Sequence, residues 1–224
     1  NARSQGSPAK EGQSELVKRP SDPFLKVRWE AERLLQELDI HALPVDPFAI
    51  AEQLGIALQP MPKSVGGASG MLIHIQGVFG IAYPTHIESD GFKNFSVGHE
   101  LGHYRLPGHV EAVLDERGQH VSAAGFKSSN RYEQEADHFA AALLMPTRLV
   151  TGVIRGAGDG IKAVEAIAEK CETSLEAAAI RYTQICLDPV AVIRSEGAVI
   201  DYAFMSNALK DFDGLEWIKK GSPL

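Results

Sequence analysis

The chain has 224 residues, 44% of them apolar and 23% charged, which is enough to bury one substantial core or two small ones packed together. Its two cysteines, Cys171 and Cys186, exclude a disulfide framework and point to a reducing, cytoplasmic compartment. A formal net charge of −7 argues against a broad nucleic-acid footprint, and no apolar run approaches the ~20 residues of a membrane span, so protein or peptide partners are favoured.

Residues 1–22 carry Ser, Gly, Pro and charge without apolar periodicity and are expected to form a flexible tail. Residues 24–38 set Leu25, Val27, Trp29, Leu34 and Leu35 among charges at helical spacing. Asp46-Pro47 then caps a second short helix that ends near Gly55. Residues 70–75 and 78–83 flank Gln76-Gly77 and read as a tight hairpin in a small antiparallel sheet, ended by Pro84. A helix is expected from about Gly91 to His103, stopped by Leu106-Pro107-Gly108, and another from about Asn130 to Met145, stopped by Pro146. Residues 161–171 and 174–186 form a helix pair, and residues 190–194 and 198–203 a closing hairpin followed by a short helix.

The chemistry is concentrated in His99-Glu100-Leu101-Gly102-His103. Helical residues four apart lie one turn above another, so both imidazoles project from one face at a separation that a zinc ion can bridge. Glu100, one step round, is the carboxylate able to take a proton from an acidified water. Gly102 weakens a helix unless close packing requires a small residue there.

Two residues compete for a third ligand position. His109 lies six residues beyond His103, a metzincin-like separation, but Leu106 stands where that pattern has glycine. Glu133 shares a helical face with Asp137, so Glu133 can coordinate zinc while Asp137, one turn on, accepts the free ring N–H of a ligating histidine, His99 first. Glu135 points elsewhere on that helix. A zinc site of His99, His103 and Glu133 therefore predicts severe metal loss in Glu133→Ala and His103→Ala, with His109→Ala nearly intact. Tyr104, Arg131, Tyr132 and His138 are near the motifs but carry no assigned role, and His41, His74, His86 and His120 have no partner pattern.

The HELGH motif, followed about thirty residues later by EQEADHFAAALLMP, resembles the ImmA/IrrE family of metallopeptidases, and residues 45–56 are similar to that family's N-terminal signature. The resemblance spans about residues 45–202. It implies an α+β fold: a mainly helical, zincin-like core at residues 23–150, a helix-turn-helix-like segment at 151–187 and a C-terminal hairpin and helix at 188–224. It implies zinc at His99, His103 and Glu133 in a gluzincin-like arrangement, with Glu100 as base. Relatives of this kind cleave a helix-turn-helix repressor in mobile-element or stress-response circuits.

Residues 166–177 resemble a helix-turn-helix, which raises a DNA-binding regulator as the alternative, beside a catalytically silent zinc-binding module. The candidate recognition helix offers mostly alanine and a single basic residue, Arg181, so direct DNA reading is not favoured. Reversing Arg181 to Glu is expected to change little unless that helix docks a protein substrate.

Overall fold

The computed structural model describes residues 23–61, 67–123 and 128–224, so the expected tail at 1–22 lies outside the described residues. Helix α1 (Leu25–Glu37) buries Val27, Ala31, Leu34 and Leu35 on one stripe and leaves Leu25 and Trp29 exposed. Asp46 caps α2 (Pro47–Gln53) by accepting from the backbone N–H of Phe48 and Ala49, with Pro47 preset for the first turn.

Strand β1 (Ala57–Met61) follows, then β2 (Ala68–Ile75) and β3 (Val78–Pro84), joined through Gln76 (φ 52°) and Gly77 (φ 80°). Two successive left-handed residues are what a type I′ turn needs, and they fix the register that pairs Ile75 with Val78.

Helix α3 (Asp90–Arg105) is capped by Ser89, and after a left-handed turn at Gly108 comes the one-turn helix α4 (His109–Val113). Strand β4 (Gln119–Ala123) completes a sheet of order β1-β3-β2-β4. The sheet is mixed, not purely antiparallel as expected, because β1 runs parallel to β3. Pro60 is tolerated in β1 because that strand lies at the sheet's edge, where a missing N–H leaves no ladder partner unsatisfied.

Helix α5 (Arg131–Leu144) starts at the Asn130 cap and packs against α3 through small residues. Gly98 and Gly102, one turn apart on α3, meet Ala140 and Ala136 on α5; a Cβ at Gly102 would lie 3.1 Å from Ala136 Cα and 3.2 Å from Phe139 Cβ. This is the close packing that explains glycine inside a helix, and it draws the two motif-bearing helices together. Val97 and Leu101 of α3 enter one apolar core with α1, α2, β2, β3 and α5.

A second core begins at Leu144 and Met145 and continues through α6 (Thr147–Ala157), α7 (Ile161–Cys171) and α8 (Leu175–Ile185). Arg181 of α8 is 2% exposed. Its Nε donates to Met145 O at 2.8 Å, and its guanidinium lies 3.1 Å from Thr147 Oγ1 and 3.7 Å from the Glu32 carboxylate of α1. The expectation that Arg181 is replaceable at little cost is therefore corrected: the side chain turns inward and clamps the α5–α6 junction. Strands β5 (Ala191–Glu196) and β6 (Val199–Met205) form the closing hairpin against α8, followed by α9 (Asn207–Lys210). No single helix among the described residues is long and apolar enough to cross a membrane.

Candidate metal centre

The α3–α5 contact brings one turn of each helix to a common point. His99 Nε2 and His103 Nε2 are 3.1 Å apart, and Glu133 sets Oε2 at 3.4 Å from the first and Oε1 at 3.4 Å from the second. One ligand atom from each of these three residues lies within 4.8 Å of the others, so the group could hold a metal ion.

The donor chemistry fits a cation. In neutral His99, Nδ1 donates to Asp137 Oδ1 at 2.8 Å, which aims the Nε2 lone pair inward. Glu133 Oε1 is buried without a hydrogen-bond partner. Two ring nitrogens at 3.1 Å must share a proton or flank a positive ion, since facing lone pairs would repel.

Without a metal, the charge on this pair is uneven. Burial opposes protonation of His99, but its hydrogen bonds to Asp137 and Glu133 prevail and raise it to about 10. For His103 burial wins over Glu133, and the imidazole falls to about 4. Burial would also raise Glu133, yet its contacts with His103, His120 and His99 hold its carboxyl well below the usual carboxylate range.

Glu100 is fully buried beside this group. Its Oε1 accepts from Ser122 Oγ of β4 at 2.7 Å, while Oε2 is buried without a partner. Burial raises the carboxyl above its ordinary value, against the pull of His99 and Ser122. Gly70 of β2, the cross-strand partner of Ser122, flanks the same oxygen, and a Cβ there would overlap Glu100 Oε1.

Three residues take positions that the sequence did not suggest. His120, which had no partner pattern, points Nε2 to within 3.0 Å of Glu133 Oε1, off the direction of a hydrogen bond, and 3.3 Å from Ser122 Oγ. At 15% exposure its side chain is open to solvent, whereas that of His103 is at 0%. His109 stands behind His103, contacting its Nδ1 at 3.2 Å and not the Nε2 that faces Glu133. Glu135 does not point away from the site: its Oε2 accepts from His109 Nε2 at 3.0 Å and its Oε1 from Arg131 Nε at 2.7 Å.

Other candidates stay outside the cluster. Tyr104 packs edge-on to Phe79, His138 stacks on Phe24, and Tyr132 sets its ring edge-on to His109. His41 pairs with Asp39, and His74 stacks on Phe79.

The family described as the IrrE N-terminal-like domain, Peptidase_M78, matches residues 51–183, more than half of the chain. No curated protein matches the sequence. Among solved structures, a Mycobacterium tuberculosis transcriptional regulator superposes with a TM-score of 0.54 at 13% identity, over 80% of this chain and 55% of that one. This chain thus spans about half the length of that regulator, and the likeness is one of fold.

Proposed function

Because the chain belongs to the IrrE N-terminal-like peptidase family, we propose that it is a zinc-dependent endopeptidase that cleaves a helix-turn-helix repressor in a stress-response or mobile-element circuit. The observation that carries this reading is the convergence of His99, His103 and Glu133 beside a buried carboxylate, Glu100, with one oxygen unpartnered.

His99, His103 and Glu133 would hold the zinc, which when bound would supply Lewis-acid polarisation of the scissile carbonyl and a more acidic attacking water. Glu100 Oε2 takes the proton from that water and passes it to the leaving amine, while Ser122 steadies Oε1. Burial suits this role, since a carboxyl raised above its ordinary value releases and accepts a proton closer to neutral pH. Asp137 holds the His99 ring in orientation. His120, the most exposed of the site's histidines, is available to donate to the carbonyl oxygen of the substrate. Strand β4, an edge of its sheet that carries His120 and Ser122, can pair with an extended peptide.

The test combines the purified chain, zinc and the repressor encoded nearest its gene. Wild type should bind about one zinc per chain and cleave the repressor. Glu100→Gln should keep the zinc and lose at least ~10²-fold in cleavage. Undiminished cleavage by that variant would sink the mechanism; zinc binding without cleavage in wild type would favour a silent zinc-binding module.

A further inference from the structure

His109 has the spacing of a ligand but not the position of one, and that mismatch needs a cause. Its ring is 1% exposed, carried by α4 immediately after the left-handed turn at Gly108. Nδ1 meets His103 Nδ1 at 3.2 Å, and Nε2 meets Glu135 Oε2 at 3.0 Å. Arg131 Nε holds the other Glu135 oxygen at 2.7 Å.

Proton counting along this row leaves one arrangement compatible with a ligating His103. The Glu135 carboxylate only accepts, so His109 Nε2 carries a proton. A contact between two Nδ1 atoms is attractive only if one of them carries a proton. If His109 were doubly protonated, it would donate to His103 Nδ1, and a neutral His103 would then point an N–H into the ligand cluster. A neutral His109 instead accepts at Nδ1, His103 donates, and the His103 Nε2 lone pair faces His99 and Glu133.

We infer that His109 and Glu135 are positioning residues that fix the tautomer and orientation of His103 through a carboxylate–imidazole–imidazole row, as Asp137 does directly for His99. This inference rests on the proposed zinc site and adds residues that never touch the metal. It also revises the expectation that His109 is dispensable: the side chain is neither a third ligand nor a bystander. The perpendicular Tyr132 ring, 5.1 Å from His109 between centroids, restricts rotation that would break the row.

Zinc titration against a chromophoric chelator, run on wild type and variants, tests this. His109→Phe keeps a planar ring but removes the acceptor, and should weaken zinc binding ~10–100-fold. His109→Gln, whose amide oxygen can accept from His103 Nδ1, should recover most of the loss, a rescue that mere space-filling does not explain. Glu133→Ala should lose far more than either. Long-range ¹H–¹⁵N spectra of zinc-loaded wild type provide a readout that does not depend on any variant folding: His103 should carry its proton on Nδ1 and His109 on Nε2 alone. Wild-type affinity in His109→Phe, or a proton on His109 Nδ1, would overturn the row while leaving the zinc site standing. Failure of wild type to bind zinc at all would remove the underlying reading and this inference with it.

Discussion

A methyl group at Gly70 would occupy the space that Glu100 Oε1 fills, so the smallest possible side chain on β2 is a condition for the buried carboxylate to sit where it does. We expect Gly70→Ala to push that carboxylate off Ser122, leave zinc content near that of wild type, and reduce peptide cleavage by at least ~10²-fold. Metal analysis alongside a peptide assay separates the two effects; equal cleavage in the variant would show that Glu100 need not occupy this position. The site was only partly legible from residues alone, and the division follows helical spacing. His99, Glu100, His103, Glu133 and Asp137 recur one or four positions apart on two helices, so their mutual directions are fixed by the backbone period. His120 sits opposite Leu72 on a strand pairing that no local pattern announces, so sequence distance hid its approach to Glu133. His109 was noticed for its spacing, but only the turn at Gly108 decides which face of His103 it meets.

Among the elements, the α3–α5 contact sets the tolerance of the centre. Its two glycines are not equivalent. A Cβ at Gly98 would meet Ala140 Cβ at 3.4 Å, close to ordinary contact, whereas at Gly102 it would press on the Ala136 backbone at 3.1 Å. Gly98→Ala should therefore be neutral or stabilising by up to ~1 kcal/mol through helix propensity. Gly102→Ala meets an overpacking cost of ~1–3 kcal/mol that outweighs the same gain, and should lower both thermal midpoint and zinc affinity. Thermal unfolding of the two variants decides the matter, and a stabilised Gly102→Ala would show the helices free to separate. The elements that were readable have strong local signals: Gln76-Gly77 for the hairpin, Asp46-Pro47 and Asn130 for helix starts, Pro146 for a helix end. Strands β1 and β4 were missed because Pro60 interrupts one and the other is five residues long after a loop; both are edges stabilised by partners distant in sequence.

Across the whole molecule two cores meet at the end of α5, with Arg181 joining α8, Met145 and Thr147 close to Glu32 of α1. Arg181→Glu would bury a carboxylate beside Glu32 and strip Met145 O of its donor, so we expect destabilisation of ~3–5 kcal/mol in urea unfolding. A change below ~1 kcal/mol would mean that the guanidinium contributes little net stability. With that arginine turned inward and a formal net charge of −7, fluorescence anisotropy at physiological salt should detect no sequence-specific DNA complex of this chain. Specific operator binding would instead favour a regulator that reads DNA directly. The clamp and the glycine contact also make α5 a lever of unequal arms. Taking the tightest glycine contact, Ala136 against Gly102, as the pivot, Glu133 lies three residues to one side and Met145 nine to the other, arms of ~4.5 and ~13.5 Å at helical rise. A 1 Å displacement at the Met145 end thus reaches Glu133 as only ~0.3 Å, near the ~0.2 Å precision that metal coordination requires. Disturbance of the second core is attenuated threefold before it arrives at the ligand, whereas a change at Gly102 shifts the pivot itself.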